Sequence, residues 1–182
     1  MPDPALTVKQ IAMVKVWEDH LAAEFSKKSI EATMATMTAH PFVNHVPVMT
    51  GGVGYRDVVK FYSTHFLPGH PADTESIFVR RTIGESSLVD ELVHKFTHDI
   101  AMPWILPGIK PTGRKVEVAI AVVVEFEDGK VQGERIYWDQ ATVLAQIGLI
   151  DAKTLPVCGA EAARKVIDPS SEPSNALIER SK

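Results

Sequence analysis

The chain has 182 residues, of which 45% are hydrophobic and 23% are charged, and this composition excludes a largely disordered, collagen-like or coiled-coil protein. Its 19 basic and 23 acidic side chains give a net charge of −4, which argues against binding to a nucleic-acid backbone. The longest apolar run, residues 118–124, is far shorter than the ~20 residues that span a bilayer, so no membrane partner is expected.

Cysteine content and the beginning of the chain bear on the compartment. The single cysteine, Cys158, cannot form an internal disulfide, which favours a reducing environment. The first residues, Met1-Pro2-Asp3-Pro4, contain neither the basic nor the apolar segment of a signal peptide. The sequence therefore predicts a cytoplasmic protein. Its unusual feature is its seven histidines, most of which lie in the first 100 residues.

Three helices are predicted in the first part of the chain. A capping box begins a helix over residues 7–25. A second helix is predicted over 27–38 and ends before Pro41, because the residue before a proline avoids the helical region. Residues 41–47, bounded by prolines, are expected as an extended piece at a sheet edge or in a loop. The third helix, over 55–66, has the clearest amphipathic pattern.

The second part of the chain has the pattern of a sheet. Four strands are predicted, over residues 76–83, 88–98, 115–126 and 131–138, and a short helix follows them over residues 139–147. Helices grouped before an antiparallel sheet predict an α+β domain, with the N-terminal helices packed in the concave face of a curved, mostly antiparallel sheet. Such a cone leaves a ligand pocket at its open end.

The domain is expected to cover residues 1–150. Residues 1–6 are expected to form a loose arm. Residues 151–182 are predicted to be a C-terminal extension, with one or two helical turns over 159–167. The Ser/Pro/Glu-rich stretch from residue 169 onwards is expected to be mobile.

The end of the predicted sheet carries the sequence pattern of a known family. Residues 134–140 (Glu-Arg-Ile-Tyr-Trp-Asp-Gln), followed by Leu144 and residues 146–149, resemble the final strand and helix of the SnoaL-like polyketide cyclases. These proteins belong to the nuclear-transport-factor-2-like (NTF2-like) superfamily. The resemblance covers roughly residues 8–150, and the supporting matches are Pro107-Gly108, Pro111-Thr112-Gly113, Thr97-His98 and Asp128-Gly129-Lys130.

This resemblance implies a cone-shaped α+β barrel with an apolar interior pocket and no metal or organic cofactor. It also implies a pocket aspartate that acts as acid and base in an intramolecular aldol closure, which corresponds to Asp139 here. The cyclases place a histidine on the strand before the hairpin, where this chain has residues 122–125, Val-Val-Val-Glu. A histidine that assists Asp139 must therefore come from another strand.

The superfamily also implies the partners of the chain. These are a small-molecule ligand or substrate and a second copy of the chain, joined as a homodimer through the exposed face of the sheet. Superfamily members include dehydratases, isomerases, epoxide hydrolases and proteins that only bind. The resemblance therefore predicts the fold better than the reaction.

Asp139 has a structural alternative. It precedes a predicted helix, so its carboxylate could cap the backbone N–H of Ala141 or Thr142. Hydrogen bonds of that kind lower the pKa of a carboxyl group. An apolar pocket beside Tyr137 and Trp138 would instead raise the pKa towards that of a useful base. The spacing leaves both interpretations open.

The predicted catalytic histidines are His98 and His45. His94 and His98 share one strand face about 13 Å apart, too far to bind one metal ion together, so no metal site is predicted. That face also carries Phe96 and is assigned to the pocket, with His98 near the end of the strand. Rigid prolines flank Asn44-His45, which suits a binding role. Each histidine also has a structural interpretation. His98 could be a buried histidine that hydrogen-bonds a backbone carbonyl, and His45 could be a half-exposed turn residue.

The last strand presents two faces. Glu134 and Trp138 share one face, whereas Tyr137 and Asp139 share the other. Both sets can line the pocket only if the chain bends near Trp138. Glu134 could instead form an ion pair with Arg80–Arg81 on a neighbouring strand.

The connection over residues 99–114 contains Met102 and Trp104, which could form a lid over the pocket mouth or fill the core. The remaining histidines are expected at the surface or at helix ends: His20, His40, His65 and His70. The predicted substrate pocket comprises Asn44, Tyr62, Arg81, His94, Phe96, Met102, Trp104, Glu134, Tyr137 and Trp138.

The sequence is consistent with more than one function. The first is a cofactor-independent acid/base enzyme that cyclises, dehydrates or isomerises a small apolar carbonyl compound. Asp139 would move the proton, and His98 or His45 would orient the substrate or stabilise an enolate oxygen. The second is a non-catalytic ligand-binding or dimerisation module of the same fold. A weaker alternative is a hydrolase in which Asp139, His98 or Glu134 activates water.

Overall fold

The structure is a computed structural model that describes residues 5–180. The loose arm expected over 1–6 and the mobile stretch expected over 169–182 fall partly outside these residues. Within them, no helix is both long enough and apolar enough to cross a membrane.

The described residues form six α-helices and six β-strands. The helices are α1 (Val8–Leu21), α2 (Ile30–Ala35), α3 (Tyr55–Phe61), α4 (Gln140–Gln146), α5 (Ala160–Ile167) and α6 (Ala176–Arg180). The strands are β1 (Met37–His45), β2 (Thr50–Val53), β3 (Glu75–Ile83), β4 (Ser87–Thr97), β5 (Lys115–Glu127) and β6 (Lys130–Trp138). Two helices continue as π-helical turns, α1 through Ala22–Ser26 and α3 through Tyr62–Phe66.

The strands form one curved sheet in the order β2-β1-β6-β5-β4-β3. All neighbours are antiparallel except β1 and β6, which run parallel. Along β5, alternate residues from Val116 to Val124 are buried in the core, as expected for a strand with one face against the helices. The predicted α+β fold with a curved, mostly antiparallel sheet is confirmed.

The region around Pro41 differs from the sequence prediction. The second helix ends at Ala35, and residues 37–45 form an inner strand between β2 and β6. Pro41 lacks an N–H group, so it cannot take part in a regular strand ladder. It lies where the register between β1 and β6 shifts, between Met37 and Phe42, and such irregularities are where sheets tolerate proline.

The extension after residue 150 contributes a packed helix. α5 lies against β4 and β5, and Ala163 is fully buried there. Arg164 on this helix reaches Glu117 at 3.8 Å. Glu117 alternates with the core residues of β5, so α5 covers part of the outer face of the sheet.

Candidate functional site

An interior cavity of about 670 Å³ lies between the helices and the inner face of the sheet. Its walls come from α1 and the π turn after it, from the π turn after α3, and from the inner residues of five strands. Apolar side chains such as Phe66, Leu92 and Ile136 form much of the lining. The predicted pocket and catalytic residues that line this cavity are His45, Tyr62, Arg81, His94, Trp104 and Glu134.

One wall of the cavity is a buried acid–base cluster of four residues, His20, Glu24, Tyr62 and Glu134. His20 Nε2 lies 3.1 Å from Glu24 Oε1 and 3.2 Å from Glu134 Oε1. The Tyr62 hydroxyl donates a hydrogen bond of 3.1 Å to the same Glu134 oxygen. Two carboxylates therefore share one imidazole in a water-poor wall, and three of the four residues face the cavity.

The protonation of His20 follows from its other neighbours. The Thr36 hydroxyl donates to the Thr33 carbonyl at 2.6 Å, so its oxygen is left to accept from His20 Nδ1–H, also at 2.6 Å. Nε2 must then donate to the carboxylates. The ring donates from both nitrogens, which makes it an imidazolium cation.

The pKa values of the acid–base cluster agree with this assignment. Burial lowers the pKa of His20, but the charges of Glu24 and Glu134 outweigh burial and raise it to about 10. Burial raises the pKa of Glu24 above its ordinary value, although the nearby His20 cation opposes this shift. Burial, together with the two carboxylates, also raises the pKa of Tyr62 well above 10. The raised pKa suits Glu24 to a proton-donating role.

The local sequence explains how the acid–base cluster forms. Met13, Trp17, His20 and Glu24 follow the i, i+4, i+7, i+11 spacing of one helix face, and all four are buried. Glu24 lies in the π turn after α1, and Tyr62 begins the π turn after α3. Such turns insert a residue and redirect side chains, often at functional sites.

The prediction that His20 lies at the surface was therefore wrong. The helical spacing of His20 from Trp17 and Met13 is the signal that could have placed it in the interior. Glu24 follows from the same pattern. The missed cavity residues also include His70, which was expected at the surface and lines the cavity beside Trp104.

Three neutral histidines, His45, His70 and His94, line other parts of the cavity. Burial lowers the pKa of His45 to about 4, of His70 to about 4 and of His94 to about 3. Each ring lies against Trp104, with ring centroids 5.4, 5.2 and 5.8 Å away respectively. His45 Nδ1 and His94 Nε2 are buried without a hydrogen-bond partner among the described residues. Both atoms are therefore available to a ligand.

Arg81 has a different partner from the one considered in the sequence. Its guanidinium binds both oxygens of Asp90, Nε to Oδ1 at 2.6 Å and Nη2 to Oδ2 at 2.8 Å. Trp17 Nε1–H donates to Asp90 as well, at 2.7 Å. Glu134 lies instead in the acid–base cluster. Arg81 and Asp90 thus form a wall of the cavity whose charges compensate each other.

The structure places Asp139 outside the cavity, as the cap of α4. Its carboxylate accepts from Ala141 N–H at 2.9 Å and from the Thr142 hydroxyl at 2.6 Å, and the residue is exposed. Strand β6 continues straight to Trp138, so its alternation turns Glu134 and Ile136 inward and Asp139 outward. The sequence prediction that Asp139 faces the pocket is corrected by this geometry.

His98 also lies away from the cavity lining. It is fully buried, and its Nδ1 is 3.2 Å from the Thr112 hydroxyl. Its backbone carbonyl accepts from the N–H groups of Thr112 and Gly113, which ties down the connection between β4 and β5. Burial lowers the pKa of His98. The geometry gives it a place in the core of that connection and no contact with the ligand space.

The other predicted pocket residues lie outside the cavity lining, in the core, on the opposite face of β6 or at a second pocket. Phe96 and Met102 belong to the core, and Trp138 packs against His45 with ring centroids 5.8 Å apart. Tyr137 is 43% exposed on the opposite face of β6. Asn44 borders a separate surface pocket that contains Arg135. The pocket prediction missed the side chains of α1 and placed too much weight on the end of β6.

Three members of the acid–base cluster have a spacing that could also hold a metal ion. The ligand atoms of His20, Glu24 and Glu134 lie within 4.8 Å of one another. In the structure, the donor hydrogens of His20 and Tyr62 already satisfy these oxygens. The present contacts are those of a proton-sharing cluster.

The free energy of unfolding is expected to be greatest near pH 6.5. Because the pKa of His20 is raised, its stabilising contribution is complete below 6.5 and is lost as the pH rises towards 10. Because the pKa values of His45, His70 and His94 are lowered, the unfolded chain binds these protons first, and stability falls between pH 6.5 and about 4. The lowered pKa of His98 adds to this acid loss, and Glu24, with its raised pKa, opposes it as one group against four.

Urea unfolding across this pH range measures the effect. Each proton of this kind contributes a slope of up to about 1.4 kcal/mol per pH unit. Stability that only rises or only falls between about pH 5 and 9 would contradict the assigned charge states.

Replacement of Asp139 by alanine is expected to lower the free energy of unfolding by about 1 kcal/mol, because the N-cap of α4 is lost. Asp139→Asn should be nearly neutral, since asparagine caps helices about as well as aspartate. Chemical denaturation of the two variants checks this. Equal destabilisation by both substitutions would show that the carboxylate has a role beyond the cap.

Comparisons with known proteins bear on the fold and the family. The model of the SnoaL-like polyketide cyclase family matches residues 91–147. No curated protein matches the chain. Solved structures match most of the length of the chain. Because their sequence identity to it is low, they show its fold alone.

Three of these structures illustrate the range. A protein from Jannaschia sp. CCS1, assigned as a SnoaL-like polyketide cyclase, is 16% identical, covers 81% of this chain and 99% of its own, and has a TM-score of 0.67. AclR from Streptomyces galilaeus, assigned as a hydroxylase, is 16% identical, covers 78% of this chain and 87% of its own, and has a TM-score of 0.59.

The third is SalBIII, an epoxide hydrolase/cyclase-like enzyme in pyran ring formation in the polyether salinomycin. It is 11% identical, covers 70% of this chain and 90% of its own, and has a TM-score of 0.53. The resemblance predicted from the sequence is confirmed. The chain has the NTF2-like fold and is similar to the SnoaL-like polyketide cyclases over residues 91–147.

Proposed function

We propose that the chain is an acid/base enzyme that moves a proton on a small, largely apolar carbonyl compound held in the interior cavity. The reaction class is cyclisation, dehydration or isomerisation. One observation carries this proposal: the acid–base cluster, with two carboxylates, a cationic imidazole and a phenol, lies in the wall of an apolar cavity. Buried groups of this kind with shifted pKa values are typical of catalytic sites.

Glu134 and Glu24 are suited to different roles. Glu134 accepts hydrogen bonds from Tyr62 and His20 and faces the cavity, so it is the proton acceptor. Burial raises the pKa of Glu24, so its carboxylate takes the Nε2 proton of His20 and returns it to the substrate, while His20 recovers the proton that Glu134 took from the substrate. His20 lies between the two carboxylates and balances the charge as the proton moves.

His45 supplies a contact for the carbonyl oxygen. Its Nδ1 is a buried polar atom without a partner among the described residues, and its ring lines the cavity. Its strand β1 runs beside β6, with Val43 opposite Glu134 and His45 opposite Ile136. His45 is therefore one inward position along the sheet from Glu134. A neutral imidazole at this point can donate a hydrogen bond to the oxygen that gains charge when the adjacent carbon loses a proton.

The relatives support the same class of chemistry. The matching family is described as polyketide cyclases, and SalBIII is described as epoxide hydrolase/cyclase-like. Ring-forming reactions of carbonyl compounds and epoxides require a positioned acid and base. The acid–base cluster would supply both.

Hydrogen–deuterium exchange tests this proposal with simple ketones in place of the natural substrate. A panel of cyclic ketones is incubated with the protein in D₂O, and loss of the signal from the hydrogens next to the carbonyl is followed by NMR. At least one ketone is expected to exchange faster than in buffer, at the same rate with and without EDTA. Binding of ketones without exchange would favour the non-catalytic ligand-binding module instead.

A homodimer through the outer face of the sheet is also proposed, on the resemblance to the superfamily. α5 covers part of that face near Glu117, so the remaining outer residues of β4, β5 and β6 would form the contact. Sedimentation at micromolar concentration checks this. A monomer would contradict it.

A further inference from the structure

The polar end of the cavity opposite the acid–base cluster carries groups that the proposed proton transfer does not use. Three buried side-chain atoms in the cavity lining have no hydrogen-bond partner among the described residues: His45 Nδ1, Thr74 Oγ1 and His94 Nε2. His45 is assigned to the carbonyl oxygen. The other two lie at the β3–β4 side of the cavity, where Ser76 is paired with His94 in the sheet register. Buried polar atoms are normally paired, so a polar group of a bound ligand would find two partners here.

The distance from the acid–base cluster follows from the sheet register. On β5, Glu134 lies opposite Val124, whereas His94 lies opposite Val118. Six residues of strand separate these backbone positions, whereas His45, which lies opposite Ile136 and through it Val122, is four residues from His94 in the same register. Apolar side chains such as Leu92 and Ile120 line the cavity between them. A ligand that reaches both ends must therefore have a polar group at each end of an apolar body.

The donor and acceptor pattern defines the chemistry of the second group. His70 Nδ1–H donates to the Phe66 carbonyl at 2.8 Å, so the other nitrogen of this neutral ring can only accept. His94 Nδ1 is 2.9 Å from the Ser76 hydroxyl, and its Nε2 can accept or donate according to the tautomer. The His70 and His94 rings are 6.1 Å apart. A ligand group that both donates and accepts satisfies this pair, which is the property of a hydroxyl.

The charge state of His70 and His94 also favours a hydroxyl group as their partner. The low pKa values of His70 and His94 keep both rings neutral near pH 7. A carboxylate or phosphate placed between them would depend on Lys28, an exposed side chain of the cavity lining, for a compensating charge, and an incompletely paired anion is costly in a buried position. A neutral oxygen group carries no such penalty.

We propose that the end of the cavity formed by His70, Thr74 and His94 binds a hydroxyl group of the substrate, which is therefore a hydroxyketone with its two oxygens at opposite ends of an apolar body. This inference rests on the proposed function for the position of the ketone. The rings of His45 and His94 both lie within 5.8 Å of the Trp104 ring, so they are at most about twice that distance apart. Two hydrogen bonds of about 3 Å take up part of that span and leave about 5 Å between the two ligand oxygens, the separation across one six-membered ring.

Calorimetric titration with a matched pair of compounds tests the inference. The probes are 4-hydroxycyclohexanone and cyclohexanone, which differ only in the hydroxyl. The hydroxyketone is expected to bind about five- to tenfold more tightly, the effect of one or two buried hydrogen bonds. Equal affinity of the two probes, or no binding of either at its solubility limit, would overturn the inference.

Two substitutions of one histidine separate recognition from structure. His94→Asn keeps an amide near the position of Nδ1, beside Ser76, but has no group at the position of Nε2. His94→Gln places its amide near Nε2. The preference for the hydroxyketone should fall to about onefold in His94→Asn and persist in His94→Gln, with the exposed His40→Asn as the matched control. An unchanged preference in folded His94→Asn would overturn the inference.

The outcome is independent of the test of catalysis. The proposed function fails if wild-type protein exchanges none of the simple ketones. The hydroxyl site fails if the affinity ratio of the two probes does not depend on His94. The two failures are thus measured on different quantities.

Discussion

Glu134→Gln is expected to slow ketone exchange by about 10²–10⁴-fold, the usual contribution of a general base. Glutamine has nearly the same shape, and its amide oxygen can still accept from Tyr62. It cannot take a proton from carbon at neutral pH. The loss should therefore appear in the turnover rate, with the NMR exchange assay as the measurement and circular dichroism as the check of folding.

The matched control is Glu91→Gln, the same chemical change at an exposed position of β4. Glu91 directly follows Asp90 on β4, but its side chain does not line the cavity. Its exchange rate should match that of the wild type. Wild-type exchange by a folded Glu134→Gln variant would remove Glu134 from the mechanism.

Asp90→Ala is expected to lower the free energy of unfolding by about 3 kcal/mol. Asp90 is buried and accepts hydrogen bonds from Arg81 and Trp17. Its removal leaves the Arg81 cation, whose side chain is 15% exposed, with the exposed Glu18 at 3.3 Å as its one remaining acidic partner among residues 5–180. Removal of one partner of a largely buried ion pair typically costs about 3–5 kcal/mol, and the partial exposure of Arg81 places this pair at the lower end.

Urea unfolding measures that effect, and Asp19→Ala is its control. Asp19 pairs with Lys15 at 2.8 Å on the exposed face of α1, where both side chains are more than half exposed. An exposed pair of this kind contributes about 0–1 kcal/mol. If the two substitutions have equal effects on stability, the Asp90 network does not hold the cavity wall in place.

The strands of the sheet were predictable because their patterns are local. The run over residues 115–127 is rich in β-branched residues, alternates correctly and is followed by an Asp-Gly turn. The first strand was not predictable in this way. Its pairing with β6 joins distant parts of the chain, and Pro41 within it argues locally against a strand.

The site was harder to predict because its residues come from separate elements. The alternation of β6 already puts Glu134 on the opposite face from Asp139, and the structure follows it. The family resemblance pointed to Asp139, but its position before α4 makes it a cap. His20 and Glu24 carried a helical signal, yet their meeting with Glu134 depends on how α1 lies across the sheet. No local pattern of spacing encodes that contact.

The histidines show the same limit. His94 and His45 line the cavity, and strand alternation and the rigid segment between prolines were the signals that pointed to them. His98 shares a strand face with His94, but the strand ends one residue before it, and the chain turns away from the cavity. Strand alternation therefore does not predict the direction of the His98 side chain.

The exchange rates of Glu134→Gln and Asp139→Asn on one ketone test the central claim, that the proton is moved inside the cavity by the acid–base cluster. Both substitutions remove one carboxylate and keep its shape, and asparagine preserves the cap of α4. The structure predicts a rate at least about a hundredfold below wild type for Glu134→Gln and an unchanged rate for Asp139→Asn. The reverse order would place the catalytic carboxylate at the end of β6 and contradict this account.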